Sequence, residues 1–169
     1  TLCLAILALG DATGYEITKL VAEGSFSFFS EASYGSIYPA LTKLLDEGLI
    51  NCREESQSNR PDKKVYSLTD AGRSALAGAL AKSPKPDKNR SEFLAALLFA
   101  EAVAPERIED LIDERRHHHA GKIAQLSDLY KSEDTDAGRF VLAYGLAIQK
   151  AAHAFLENKE NLRALLKGK

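Results

Sequence analysis

The sequence has no tryptophan and no methionine, and its only cysteines are Cys3 and Cys52. Two thiols make neither a disulfide framework nor a four-ligand metal site, so the chain reads as a reduced, cytoplasmic protein. Cys3, set among Leu and Ile, reads as a small core residue. The missing methionine, initiator included, suggests a trimmed or processed chain. No apolar run reaches the roughly 18 residues of a membrane span. Residues 1–9 are apolar but carry no basic leader and no cleavage site, which argues against a signal peptide. Charge of one sign is also lacking: 22 Lys and Arg against 24 Asp and Glu leave a formal net charge of −2. That balance argues weakly against nucleic acid, because free-standing DNA-binding domains are often strongly basic. No nucleophile motif, phosphate loop or carboxylate–histidine spacing stands out. Pairs such as Glu109 with Asp113 and Asp110 with Glu114 read as a solvated acidic helix surface. The expectation is a protein that is not an enzyme and holds no cofactor and no metal. His117, His118 and His119 do not change it, since consecutive helical side chains point about 100° apart and cannot converge on one ion. A site shared between two copies and including His153 is the less favoured alternative.

At 169 residues with 45% hydrophobic content, the chain has room for one or two small domains, each with a modest core. Residues 82–87, Lys-Ser-Pro-Lys-Pro-Asp, place two prolines one residue apart among polar neighbours and read as a semi-rigid linker. The boundaries drawn from this are a domain over 1–82, a linker over 83–88 and a second domain over 89–169.

Residues 33–50 organise the first domain. Ile37, Leu41, Leu44 and Leu45 recur at helical spacing and call for a core, while Gly35, Ser36, Pro39, Thr42 and Lys43 occupy the opposite side. A helix with small and polar residues outward suits close approach to another surface. Ser33 or Ser36 suits its cap, and Gly48 its C-terminal stop. Pro39 requires a place near the first turn, or a bend relieved by Gly35. Residues 49–54 and 63–68 then read as strands around a polar turn at 56–62, with Arg53, Arg60, Lys63 and Lys64 clustered on the hairpin. A helix followed by such a hairpin is the winged helix-turn-helix plan, in which the helix enters a DNA major groove and the wing touches backbone. Upstream, residues 2–9 form a short apolar segment, 10–14 a loop with Thr13 as cap, and 15–23 a helix turning Ile17, Leu20 and Val21 inward. Downstream, residues 69–81 form a helix capped by Thr69. Tyr66 is assigned to the core.

Gly14-Tyr15-Glu16-Ile17, then Gly35-Ser36-Ile37-Tyr38-Pro39-Ala40-Leu41 with Leu44, and Gly48-Leu49-Ile50 resemble the signature of PadR-like transcriptional regulators. So do Arg60-Pro61 and the run Lys64 to Arg73. The rest of the chain is similar in pattern to the helical C-terminal dimerisation domain of the long PadR-like subfamily. The resemblance decides for a helix over residues 2–9. It implies a mainly α fold: a winged helix-turn-helix of three helices and a two-stranded wing, then a helical dimerisation domain with long antiparallel helices. It also implies a DNA-binding transcriptional regulator, a repressor acting as a homodimer on an inverted repeat of double-stranded DNA. A small aromatic or drug-like effector near the domain junction is implied as well, with Phe26, Phe28, Phe29, Phe93 and Phe99 available to line its pocket.

Gly35, Ser36, Tyr38, Pro39, Thr42 and Lys43 are the candidate contacts of the reading helix, and Arg60, Lys63 and Lys64 those of the wing. Tyr15 and Tyr38 fit two roles equally, hydroxyl donors to phosphate or amphipathic residues at the core edge. In the second domain, Phe93, Leu94, Leu97, Leu98 and Ala102 are expected on one helical face. Pro105 opens a helix to about residue 130, striped by Ile108, Leu111, Ile112, Arg115, His119, Ile123, Leu126 and Tyr130. Arg115 and His119 interrupt that stripe and suit either a register-setting or a pocket-lining role. A last helix over 137–166 carries Val141, Tyr144, Ile148, Ala151, Phe155, Leu162 and Leu165 at alternating three- and four-residue steps, the seam of a two-fold dimer. A protein-interaction module that has lost DNA binding is the alternative from another class.

Overall fold

The structure is a computed structural model and describes residues 1–23, 34–57, 60–87 and 90–166; the side chains of 23, 34, 56–57, 60–62, 164 and 166 also lie outside the description. Two compact units divide it, Thr1–Pro86 and Asp87–Lys169. Among the described residues, no helix is long and apolar enough to cross a membrane.

The first unit runs α1 (Leu2–Leu9), β1 (Ala12–Thr13), α2 (Gly14–Glu23), α3 (Tyr34–Asp46), β2 (Ile50–Gln57), β3 (Arg60–Leu68) and α4 (Asp70–Leu80). Its core gathers Cys3, Leu4, Ile6 and Leu7 of α1 with Ile17 and Val21 of α2, Ile37 and Leu41 of α3, Ile50, Tyr66 and Leu76. Residues 10–14, expected to be wholly loop, contribute β1. It pairs antiparallel with β3, giving a three-stranded sheet in the order β1-β3-β2. The hairpin is longer than the sequence suggested, because its strands extend to Gln57 and Arg60 through the stretch read as a polar turn. A register irregularity between Glu55 and Gln57 absorbs the polar residues that mimic a turn.

Thr13 and Glu16 start α2 with a reciprocal capping box. The Glu16 amide donates to Thr13 Oγ1 at 3.2 Å, and the Thr13 amide donates to Glu16 Oε2 at 2.7 Å. Leu20, expected inward, is 41% exposed; the buried side of α2 runs through Gly14, Ile17, Thr18 and Val21, and the Thr18 hydroxyl donates to the Gly14 carbonyl at 2.7 Å. The Thr13 backbone and side-chain donors hold the Glu16 carboxyl below its ordinary range. A depressed carboxyl contributes stability above its unfolded pKa and loses it as pH falls through the folded value. Thr13→Ala is therefore expected to cost about 1 kcal/mol near neutral pH, and less once Glu16 is protonated. Thermal unfolding at the two pH values measures both.

The second unit comprises α5 (Glu92–Val103), a 3₁₀ turn at Pro105–Arg107, α6 (Ile108–Ser132), α7 (Asp136–Glu157) and α8 (Lys159–Leu166). The last helix, expected to be continuous, is broken at Asn158, which adopts φ −74° and ψ 108°. Its Oδ1 accepts from the Glu160 amide at 2.9 Å and begins α8, while Asn161 Nδ2 donates to the Phe155 carbonyl at 3.0 Å. The break folds Leu162 into a core with Ala100, Ile108, Ile112 and Leu156, so Leu162, expected on the dimer seam, is buried in its own chain. The single apolar face expected on α5 also divides. Phe93 and Leu97 pack on the core beside buried Ala100, whereas Leu94 and Leu98 are exposed, as is Ala102. Helix α5 is apolar all round, so its periodicity fixed no unique inward direction. Between α6 and α7, His119 Nδ1 meets Gln149 Oε1 at 2.6 Å, a polar tie joining the two helices.

Candidate nucleic-acid interface

Helix α3 is anchored by buried Ile37 and Leu41 and stopped by a built turn. The Leu49 amide donates to the Leu44 carbonyl and the Gly48 amide to the Leu45 carbonyl, each at 2.9 Å. Gly48 stands at φ +66°, the left-handed conformation this motif needs. Thr69 then fastens α4 to the same turn: its hydroxyl donates to the Gly48 carbonyl at 2.9 Å, its amide to the Leu49 carbonyl at 3.2 Å. The start of α3 departs from expectation. The helix begins at Tyr34, so Ser36 is its third residue rather than its cap, and Ser33 lies outside the described residues. Pro39 sits at the sixth position of an unbroken helix, where it offers no amide hydrogen to the Gly35 carbonyl.

Gly35, Ser36, Tyr38, Pro39, Thr42 and Lys43 are all exposed. A Cβ at Gly35 would meet no atom within 4 Å, so the helix is bare there. Tyr38 serves at the core edge, because its ring leans on Gly14, where a Cβ would lie 2.7 Å from Tyr38 Cε1; it is nevertheless 48% exposed. Thr42 Oγ1 donates to the Tyr38 carbonyl at 3.2 Å. Lys43 Nζ stands 3.8 Å from Glu47, a loose surface pair that leaves its charge available. Tyr15, on the neighbouring helix α2, is 63% exposed.

The wing cations divide. Lys63 Nζ is 3.1 Å from Glu55, and Arg53 binds both Asp11, at 2.5 Å, and Glu55, at 3.1 Å. Hydrogen bonds from Lys63 and then Arg53 hold the Glu55 carboxyl below its ordinary range, and Asp11 and then Glu55 raise the Arg53 guanidinium. Lys64 is exposed and has no ion pair among the described residues. The Arg60 side chain lies outside the description. Asp11 was invisible as a partner of Arg53, being 42 residues away with no local pattern to join them. Thr13-x-x-Glu16, by contrast, carried a readable capping signal.

In the second unit Phe93 and Arg115 come together, the guanidinium carbon 4.7 Å from the ring centroid. They line a groove of about 340 Å³ with Glu92, Ala96, Leu111, Glu114 and His118. Phe99, grouped with Phe93 from the sequence, is 65% exposed and does not line this groove; Phe26, Phe28 and Phe29 lie outside the described residues. Burial, then Arg115, His119 and Lys122, lower the His118 pKa. The adjacent histidines face different partners: His117 Nδ1 meets the Asp113 carbonyl at 2.8 Å, and His119 meets Gln149. Along α7 an apolar line of Phe140, Tyr144, Ile148 and Phe155 is exposed, Ala151 is exposed with it, and Val141 is half-buried beside them.

Helices α1 to α3 with a hairpin behind the third, closed by a short strand, define a winged helix-turn-helix protein. The chain belongs to the PadR-like family of transcriptional regulators, a family of regulators rather than enzymes. Residues 3–78 match the transcriptional regulator PadR-like family and residues 89–162 the virulence activator alpha C-terminal family. The negative transcriptional regulator PadR of Bacillus subtilis (strain 168) is 33% identical over 129 residues, covering 76% of this chain and 70% of that protein. The crystal structure of Bacillus subtilis PadR in complex with operator DNA is similar at a TM-score of 0.80 and 28% identity, covering 92% of each chain. The same protein in complex with p-coumaric acid gives 0.72 and 30%, covering 96% of each. The PadR-like regulator BC1756 of Bacillus cereus gives 0.83 and 28%, covering 96% of this chain and 92% of that one.

Proposed function

We propose that this chain is a cytoplasmic repressor that binds an inverted-repeat operator as a homodimer and is released by a small effector. The observation that carries the reading is α3 itself: buried Ile37 and Leu41 hold it in place while Gly35, Ser36, Tyr38, Pro39, Thr42 and Lys43 all face solvent. Such a helix fits a major groove, and two of them related by a two-fold axis read half-sites whose centres lie one or two turns apart, at about 34 Å per turn. Tyr15 and Lys64 flank it as backbone contacts, and Arg60 joins them from the wing. The operator complex of Bacillus subtilis PadR supports duplex DNA as the ligand.

Dimerisation is assigned to α7. Tyr144, Ile148, Ala151 and Phe155, with Val141 at their edge, leave a continuous apolar line that a second copy would cover. Residues 1–82 then serve as the DNA-binding domain and 89–169 as the dimerisation domain. The effector site is assigned to the groove holding Phe93, where the Arg115 guanidinium lies on the aromatic ring and offers N–H donors to a small aromatic anion. The p-coumaric acid complex of the relative supports that ligand class.

Binding to duplex DNA must fall steeply with salt, since neutralised phosphates release counterions. Lys43→Ala combined with Lys64→Ala is expected to weaken binding by about 1–3 kcal/mol and to flatten the salt slope by about two. Gel shifts across a potassium chloride series measure both; an unchanged slope would remove these lysines from the interface. A wild-type protein that retards no fragment would instead point to an interaction module.

A further inference from the structure

Residues paired directly across antiparallel strands share a face of the sheet. Cys52 with Tyr66 and Glu54 with Lys64 therefore lie on one side; Arg53 with Val65 and Glu55 with Lys63 lie on the other, beside Thr13. On the first side Tyr66 is in the core, whereas Cys52, Glu54 and Lys64 are exposed. The opposite face carries buried Val65 and, around it, a connected set of charges. Arg53 spans from Asp11 to Glu55, and Lys63 takes the second oxygen of Glu55. With Glu16 in electrostatic reach of Lys63, three carboxylates stand against two cations there. Such a face is a poor surface for phosphate. Asp11 immediately precedes β1, whose Thr13 caps α2, and Gly14 of α2 is the residue on which Tyr38 of α3 leans. A continuous set of contacts thus joins the wing to the start of α2 and, through it, to the reading helix.

We infer that Arg53 is a positioning residue: bound to Asp11 and Glu55, it braces the wing against the start of α2, Lys63 belongs to that brace, and Lys64 is left as the phosphate contact. The inference rests on the DNA-binding reading above. It separates two effects that the sequence merges, since both lysines sit side by side on a basic hairpin.

The test uses the full chain and the tightest duplex it selects from a random-sequence pool, with affinity measured over a potassium chloride series. Arg53→Gln and Asp11→Asn are each expected to weaken binding about fivefold at a given salt, the scale of a surface charge network, and to leave the slope unchanged. Lys63→Ala keeps the slope; Lys64→Ala lowers it by about one. The double variant Asp11→Asn with Arg53→Gln weakens binding less than the product of its two single effects, because the two side chains act through one contact; fully multiplicative losses would overturn the inference. Circular dichroism confirms that each variant is folded before binding is measured. A slope lowered by Arg53→Gln or Lys63→Ala would make those side chains phosphate contacts and overturn the inference, as would an unchanged slope for Lys64→Ala. A wild-type protein that selects no duplex overturns the DNA-binding reading, and the inference falls with it.

Discussion

Replacing Tyr144 and Phe155 together by aspartate is expected to leave a monomer that still folds but holds its operator roughly 10²–10⁴-fold more weakly. Both side chains are more than half exposed in the single chain, so the change removes no core packing. In the proposed dimer they would be covered, and a buried unpaired carboxylate opposes association strongly. The loss at the operator follows from bivalence. When one half-site is occupied, the second reading helix is presented at high effective concentration, and a monomer forfeits that gain without losing any contact of its own. Sedimentation gives the mass, and titration of an operator with one or two half-sites gives the affinities. Dimers in the double variant would move the seam away from α7. A monomer with full operator affinity would sever assembly from DNA binding.

The second large effect concerns a glycine. Gly72→Ala is expected to destabilise the first unit by about 3 kcal/mol, the scale of forced overpacking. A Cβ there would lie 2.0 Å from the Leu49 carbonyl oxygen and 2.8 Å from Leu68 Cδ1, and the first neighbour is backbone that cannot rotate away. That carbonyl also accepts the Thr69 amide, so displacing it disturbs the junction of wing and α4. In a unit of this size the melting temperature should drop by roughly 10–20 °C. Gly78→Ala supplies an internal control on the same helix. Gly78 is exposed, and its Cβ would meet nothing within 4 Å, so helix propensity should raise stability by about 0.5–1 kcal/mol. Calorimetry of the two variants should give shifts of opposite sign.

The features legible in the sequence were those written locally. Ile37, Leu41 and Gly48 announced a helix, its inward side and its stop, and the exposed positions followed from the same wheel. Thr69 announced the cap of α4. The sequence misled where local chemistry was ambiguous or distant. Residues 56–62 are polar enough to look like a turn, yet Gln57 and Arg60 continue strands because the backbone ladder does not depend on side-chain polarity. Helix α5 is apolar on every side, so choosing Leu94 and Leu98 over Ala100 as its buried face had no periodic basis. Asn158 is a tolerable helix residue whose capping of α8 depends on the tertiary burial of Leu162. The wing cations show the same limit in the interface. Each lysine has a glutamate across the strand, Glu55 for Lys63 and Glu54 for Lys64, and neither composition nor spacing reveals that among the described residues only the first pair closes into an ion pair, at 3.1 Å.

The peptide group of Leu49 has a mechanical consequence. Its amide closes the end of α3 and its carbonyl receives the first residue after β3, so the reading helix, the root of the hairpin and the base of α4 are welded at one point. A head riveted in this way has little slack with which to accommodate unlike operators. In the proposed dimer, any adjustment to different target spacings would fall instead on the distance between two such heads, where a ligand or a mutation would act without touching a single DNA contact.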